Sequence, residues 1–460
     1  MKPISSPAVF AAFLLAPVMA AQEPNAKPLT IQEAVANSGR FPAVTAAEEQ
    51  VNAAAAGIRL ARTNYLPSID AAGQINRATR NNVFGLLLPQ PVIPSMSGPV
   101  LGTNNGATAW GSAAGVLISW QPFDFGERRA LVRSAEAARK RAEFSLERSK
   151  FETETATAAA FLTLLASEQT VRAAQAAVER AQAVVRSVNA LVTAKLRAGA
   201  DLSRANTELE AAQTQLLQAQ QARAVAKTSL AEFAGADFKT LAAAPGHLLD
   251  TFPDVPAGSR DVASNPAAKE QAGAVEESRA RLAVLQRSYR PTFELQAAAY
   301  GRGSGALTNG LILGGANGLA PNYFNAGAGF TVNFPLFALP SIRAQQAREE
   351  ALGRSATATY HRVLADLQQQ SNAANATLQQ ARLIAAETPK EVQDARAGFE
   401  QANAQYHAGL STIVAVAEAE RLLTQAEIDD SLAKLAVWRA WLEIEIAQGD
   451  ISQFLSEAGR

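Results

Sequence analysis

Residues 127–198 read ERRALVRSAEAARKRAEFSLERSKFETETATAAAFLTLLASEQTVRAAQAAVERAQAVVRSVNALVTAKLRA, seventy-two residues with neither Gly nor Pro. A helix rises 1.5 Å per residue, so one helix over this stretch spans about 108 Å. That length excludes a compact ball and points to a tube, fibre or strut. Leu164, Val171, Val178, Val185 and Val192 fall seven apart, with Ala174, Ala181 and Val188 at companion positions. A sustained seven-residue repeat implies left-handed coiling against another helix. Taken alone, the heptads leave an ordinary coiled-coil rod open.

The chain is internally duplicated. Tyr65-Leu66-Pro67-Ser68-Ile69 recurs as Tyr289-Arg290-Pro291-Thr292-Phe293, and Pro42 matches Pro266 at the same offset. Trp120-Gln121-Pro122-Phe123 recurs as Phe334-Pro335-Leu336-Phe337, and Leu196-Arg197-Ala198-Gly199 as Tyr406-His407-Ala408-Gly409. On these matches the offset drifts from about 224 to about 210. Each half reads helix, strand, loop, strand, long helix, sharp turn, shorter helix. The second long helix keeps a heptad frame through Leu364, Leu378, Ala385, Val392, Phe399 and Tyr406. Gly199 and Gly409 are expected to cap the long helices, because Gly tolerates the left-handed angles of a C-cap. Helical patterning resumes directly after each, so each half carries a helical hairpin with its tip near the Gly. Pro389 is expected to kink the second long helix.

Four segments alternate with period two, at about 67–82, 108–121, 292–302 and 323–336. Ile69, Ala71, Gly73 and Ile75 share one face, as do Phe293, Leu295, Ala297 and Ala299. Trp110 and Trp120 share a face ten residues apart, and so do Phe324 and Phe334. Ten residues of strand span about 33 Å, or about 25 Å when tilted. That equals the apolar band of an outer-membrane barrel with aromatic girdles at both edges. A soluble sandwich with core aromatics is the competing reading. Four strands cannot close a barrel, for which about eight are needed, and lipid tolerates no open edges. Several chains must therefore share one wall; three copies give twelve strands. The Gly-, Pro- and Asn-rich stretches 83–107 and 303–322 read as the longer, extracellular loops.

The N-terminus has the order of an export signal: Lys2, the apolar run Ala8 to Val18, then Val18-Met19-Ala20. Residues 1–21 are expected to be removed. There is no Cys, which excludes disulfides. Charge balances at 42 basic against 42 acidic residues, so nucleic acid is not a suggested partner. Catalysis finds no support: His247, His361 and His407 are scattered, and neither a metal-ligand spacing nor a cofactor motif occurs. Gly301-Arg302-Gly303-Ser304-Gly305 faintly suggests a phosphate loop, but no βαβ pattern follows it.

These motifs resemble the TolC family of outer-membrane efflux proteins over essentially the whole mature chain. The likeness is carried by Tyr65-Leu66-Pro67, by Trp120-Gln121-Pro122-Phe123-Asp124-Phe125-Gly126 leading into the long helix, and by Tyr406-His407-Ala408-Gly409-Leu410-Ser411 followed by Glu418-Ala419-Glu420. The resemblance implies a mixed α and β membrane fold. Three protomers make a twelve-stranded β-barrel in outer-membrane lipid, continuous with a twelve-helix tube across the periplasm. It divides the chain into a first repeat at 22–235 with its hairpin at 127–235, an equatorial connector at 236–266, a second repeat at 267–448 with its hairpin at 341–448, and a C-terminal segment at 449–460. The N-terminal segment, connector and C-terminus are expected to form a belt around the tube.

Function implied by the resemblance is a passive conduit in tripartite efflux or type I secretion. The implied partners are sister copies, a periplasmic adaptor and an inner-membrane pump. The implied tip and gate residues are Gly199, Asp201, Arg204, Glu208, Tyr406, Gly409, Ser411 and Glu418. Aligned from Gly409, the family's acidic ring positions fall on Ala415 and Glu418, with Ala205 and Glu208 as first-half equivalents. One ring is thus missing, and an acidic ring at Glu418 would favour cations. Two alternatives stay open: a periplasmic coiled-coil adaptor without a pore, and an adhesin stalk. The adaptor needs no aromatic girdles, and the stalk predicts an extended fibre without the matched hairpins.

Overall fold

The computed structural model describes residues 28–79, 91–93, 106–235, 237–238, 241–253, 255, 261–309 and 311–460. The expected leader, most of the 83–107 loop and part of the connector lie outside them. Thr30 and Glu33 cap α1 (Ile31–Ser38) reciprocally. Pro42 opens α2 (Pro42–Thr63), where a missing N–H leaves no bond unmade. α2 delivers the chain to β1 (Ser68–Thr79), which returns as β2 (Thr108–Phe123). α3 (Glu127–Thr193) then runs 67 residues, about 100 Å, and reverses into α4 (Gly199–Ala234).

The second half repeats this plan with α5 (Pro266–Leu285), β3 (Thr292–Ser304), β4 (Tyr323–Asn333), α6 (Leu339–His407) and α7 (Ile413–Gln448). α8 (Ser452–Ala458) ends the chain. α6 runs 69 residues and stays helical through Pro389.

Heptads become seams. Ala205, Ala212, Ala219 and Ala226 of α4 are buried at seven-residue spacing. On α6 the buried residues run Leu367, Ser371, Ala374, Leu378, Ala381, Ala385 and Thr388, alternating steps of four and three. Of these, Ala374, Leu378, Ala381 and Ala385 meet Ala433, Val437, Ala440 and Ile444 of α7. Side chains this small let the helix axes approach closely. Near the sheet, α2 and α5 lie on the first half of α3, joined by the ion pairs Arg62–Glu136, Arg141–Glu277 and Arg148–Glu270. Near the tip, α4 and α7 take their places. Each level of the protomer thus holds four long-helix segments.

The largest core lies between these levels. Phe161, Leu162 and Leu165 of α3 pack with Ile31 of α1, Leu230 of α4, Leu248, and Trp438, Trp441 and Phe454 near the C-terminus. A parallel bridge joins Leu29 to Ala243. Trp438 donates its indole N–H to the Thr251 carbonyl at 3.1 Å. The N-terminal segment, connector and C-terminal helices therefore wrap the mid-point of the bundle.

β1 to β4 form one antiparallel sheet in chain order. β1 pairs with β2 from Ser68↔Ser119 to Thr79↔Thr108, and β3 with β4 from Thr292↔Asn333 to Arg302↔Tyr323. A bulge between Trp120 and Phe123 interrupts the β2–β3 pairing just before the chain turns into α3. The outer edges of β1 and β4 have no strand partner among the described residues.

Candidate functional site

Register fixes the faces of the sheet. Ile69↔Ile118, Ala71↔Val116 and Gly73↔Ala114 align across β1 and β2. Val116↔Ala299, Ile118↔Ala297 and Trp120↔Leu295 carry the same face into β3. Leu295↔Phe330, Ala297↔Ala328 and Ala299↔Ala326 carry it into β4. Successive residues of a strand point to opposite faces, so the row is apolar from one edge to the other. It is also bare: Ile69, Ile75, Val116, Ile118, Trp120, Phe324, Phe330 and Phe334 are all exposed, Phe324 at 79%. Trp110 is half-buried. The opposite face carries Asp70, Gln74, Ser119, Glu294, Gln296, Arg302, Asn325, Thr331 and Asn333, with Leu117, Tyr300 and Tyr323 as its large groups of apolar or aromatic character.

At the foot of the apolar face, Phe293 and Phe330, which the alternation places on it, meet Phe123 and Phe125 from the turn into α3. Phe123, Phe125, Phe293 and Phe330 stack with ring centroids 4.7–6.1 Å apart. Trp120 donates its indole N–H to the Tyr65 carbonyl at 3.1 Å, tying β2 to the end of α2.

The strand-to-helix junction is stapled by Asp124. Phe125 and Gly126 both take positive φ there. One Asp124 oxygen accepts the Arg128 N–H at 2.7 Å and Nε at 2.9 Å; the other accepts the Gly126 N–H at 3.1 Å. Arg128 also donates to the Asn64 carbonyl at 3.1 Å and lies over the Tyr65 ring. Burial raises the Asp124 pKa, but the hydrogen bonds and charge of Arg128 and the Gly126 N–H outweigh it and hold the carboxyl below the usual range. The second junction has Ala338 at the corresponding place and no such staple.

At the tip the structure corrects the expected cap. α3 ends at Thr193, and Lys195 takes the left-handed position at φ 59°. Leu196 N–H bonds to the Leu191 carbonyl and Lys195 N–H to Val192, the pairing of a Schellman motif. Gly199 instead opens α4, without a positive φ. In the second half Gly409 does take the left-handed position, at φ 78°, with the same two bonds. Helix ends and caps therefore correspond at a constant offset: Thr193 with His407, Lys195 with Gly409, Gly235 with Gly449. The Gly199–Gly409 match is four residues out of step. Glu418 corresponds to Arg204, and Ala415 to Asp201, rather than to Glu208 and Ala205.

The structure brings Tyr406 and Asp201 together. Tyr406 is almost fully buried, packed with Val188, Ala205, Ile413 and Val416. Its hydroxyl donates to Asp201 at 3.1 Å, linking the end of α6 to the start of α4. Arg197, which sequence reading passed over, lies across the Tyr406 ring with its guanidinium carbon 4.4 Å from the centroid, and donates to the Tyr406 carbonyl. Burial and the Asp201 carboxylate together raise the Tyr406 pKa. Gly199, Arg204, Glu208 and Gly409 are exposed and Ser411 is half-buried. Glu418 is exposed too, but Arg421 pairs with it at 2.6 Å and lowers its pKa. A ring of Glu418 carboxylates would thus carry its own cations.

A second missed feature lies above the tip. Arg180 of α3 reaches Glu420 at 3.3 Å, Thr424 at 2.9 Å and Glu427 at 3.1 Å on α7, and Arg396 of α6 meets Glu427 at 3.3 Å. The glycine-rich Gly301–Gly305 stretch has a packing reason. A Cβ on Gly303 would fall 2.1 Å from the Ala320 carbonyl oxygen, and one on Gly305 2.5 Å from that of Asn317. The returning loop lies directly on these glycines.

Residues 30–236 match the outer membrane efflux protein family. The fold resembles the Campylobacter jejuni CmeC outer membrane channel, with a TM-score of 0.72 at 16% identity over 94% of this chain and 89% of that one. It resembles the outer membrane protein VceC of Vibrio cholerae at 0.70 and 17%, over 91% and 96%. The open state of the Neisseria gonorrhoeae MtrE outer membrane channel matches at 0.67 and 15%, over 91% and 89%. No curated protein matches the chain significantly in sequence. The family match covers residues 30–236, and the likeness to the solved channels extends over most of the chain as a likeness of fold.

Proposed function

We propose, with the outer membrane efflux protein family as the premise, that three copies of this chain close one passive conduit through the outer membrane and into the periplasm. One observation carries the reading. A sheet whose two edges are unpaired among the described residues presents a predominantly apolar, largely exposed outer face. Water would penalise that face, and lipid would penalise the edges. Pairing β4 of one copy with β1 of the next resolves both, and three copies give a twelve-stranded barrel. The four helix segments per level then give a twelve-helix tube below it.

The tube's lower end is the place for a periplasmic adaptor to engage, and an inner-membrane pump supplies the energy and chooses the cargo. Tripartite efflux and type I secretion both fit this arrangement. At the tip, the Arg197–Tyr406–Asp201 contact ties the two hairpins of a protomer. Gly199, Arg204, Glu208, Gly409, Ser411 and Glu418 form the surrounding docking and gating surface. Trp110, Trp120, Phe324 and Phe334 mark the lipid boundaries.

The test is mass and conductance. Detergent-purified protein should weigh as a trimer by light scattering and form discrete channels in a planar bilayer. A monomer that stays soluble without detergent would overturn the conduit. It would favour a pore-free periplasmic adaptor.

A further inference from the structure

Arg77 is the one charged residue in the apolar outer-face column of β1. It follows Ile69, Ala71, Gly73 and Ile75 in step of two and is exposed. It stands opposite Trp110 in the β1–β2 register, at the end of the sheet remote from the helices. Its guanidinium carbon lies 5.4 Å from the Trp110 ring centroid, and Nε donates to the Thr108 hydroxyl at 3.0 Å. Thr108 and Trp110 share a face of β2. Three side chains on two paired strands thus hold one guanidinium on the lipid side.

Chemistry of the held group decides what it binds. A guanidinium has five N–H donors in a planar fork. The Nε donor is used by Thr108. No carboxylate among the described residues pairs with Arg77, and the printed hydrogen bond of its side chain uses Nε alone. Such a fork matches two oxygens of one phosphate, with a strength a point charge does not reach. Stacking on an indole removes rotamer freedom before binding and leaves the fork presented. Placement limits the source. An arginine above an apolar band and beside a girdle Trp lies at headgroup depth.

We infer that Arg77, held by Trp110 and Thr108, is a binding site for the phosphate of an outer-leaflet lipid, one site per protomer. This rests on the barrel reading above, which places the open end of the sheet in the outer leaflet. Because β1 is an edge strand, the β4 of a neighbouring copy borders the site, and each lipid so held would lie along a protomer seam.

Native mass spectrometry of the detergent-solubilised protein tests this, using diphosphoryl lipid A, the same lipid dephosphorylated, and inorganic phosphate as probes. Wild type should bind the phosphorylated lipid about tenfold more tightly than R77Q does, the scale of a charge-assisted hydrogen-bond pair. The dephosphorylated lipid should not distinguish the two proteins, and millimolar phosphate should not displace the bound lipid. Equal affinity of wild type and R77Q for the phosphorylated lipid, with both trimeric and conducting, would overturn the site and leave the conduit standing. Displacement by inorganic phosphate would overturn the lipid as the source. Loss of the trimer in wild type itself would instead defeat the barrel reading.

Discussion

Replacing Asp124 by Ala should open the strand-to-helix junction while leaving both elements formed. The substitution removes the acceptor of three hydrogen bonds, from the Arg128 N–H, Arg128 Nε and the Gly126 N–H. It also leaves the Arg128 guanidinium, whose side chain is 8% exposed, without its counter-charge. Breaking a buried pair from one side costs about 3–5 kcal/mol. The Asn64 carbonyl and Tyr65 ring still hold Arg128, so the lower value, about 3 kcal/mol, applies. At 1.36 kcal/mol per decade that is about a hundredfold in the local opening equilibrium. Hydrogen exchange read on peptides covering 124–130 should accelerate by that factor, with peptides from the belt core unchanged. The D124A/R128M double variant, which removes the stranded charge, should return most of the loss. The sign with pH follows from the depressed carboxyl. Its stabilisation is complete above the unfolded value of about 3.9 and fades as pH falls through the lower folded value. The difference between wild type and D124A should therefore stay constant from pH 8 to 5 and shrink below about 4. Unchanged exchange at 126–130 in D124A at neutral pH would refute the staple.

The two tip glycines should respond differently. Gly409→Ala forces an L residue to φ 78° and should cost about 1–2 kcal/mol. Gly199→Ala, whose Cβ would meet nothing within 4 Å, should be neutral or stabilising by up to about 1 kcal/mol, both read by thermal denaturation. Val116→Arg puts a charge mid-way along the outer face and should cost about 2–4 kcal/mol of barrel stability, seen as loss of the heat-modifiable trimer band on a gel. Tyr406→Phe deletes the hydroxyl that donates to Asp201, worth about 1 kcal/mol, and should raise channel open probability about fivefold in a planar bilayer. Glu418, already below the usual carboxylate range beside Arg421, should give no titration of conductance between pH 5 and 8, and E418Q, which leaves Arg421 without its partner, should shift the conductance by the same amount at every pH in that window.

Strands and seams were legible in the sequence because each is periodic. Alternation at Ile69–Ile75 and Phe324–Phe334 fixes which face is apolar, and pairing in register then makes that face continuous. Seven-residue spacing placed Ala174, Ala181 and Val188 in a seam, and all three are buried. The tip was less legible because backbone geometry there does not follow residue type. Lys195 takes a left-handed conformation that the sequence assigns to Gly199, four residues later. Reading the repeat from that Gly moved every first-half tip equivalent by one helical turn. Arg197, Asp124 and Arg180 escaped notice for another reason: their partners lie on other elements, or their role depends on a local turn. Composition does not reveal such pairings.

The asymmetry of the two junctions bears on how copies must meet. At the first, Asp124, Arg128 and Tyr65 pin the turn within one chain, although Phe123 beside it is 53% exposed. At the second, Phe334 is 59% exposed and Phe337 fully exposed, at the foot of the open-edged strand β4. Burying an aromatic side chain gains about 1.5–3 kcal/mol relative to exposing it, so leaving two bare in water is unfavourable by several kcal/mol. A neighbouring β1 and the end of its α2 would arrive at this foot if β4 pairs with the next copy. There Tyr65 and Leu66, themselves exposed, offer the matching apolar surface. If copies pair as proposed, the unstapled junction is the one that a sister chain would complete. Substituting Phe337→Ser should loosen the trimer without altering the protomer's own junction at Asp124. If F337S trimers dissociate in detergent at the same concentration as wild type, the second junction is not where copies meet.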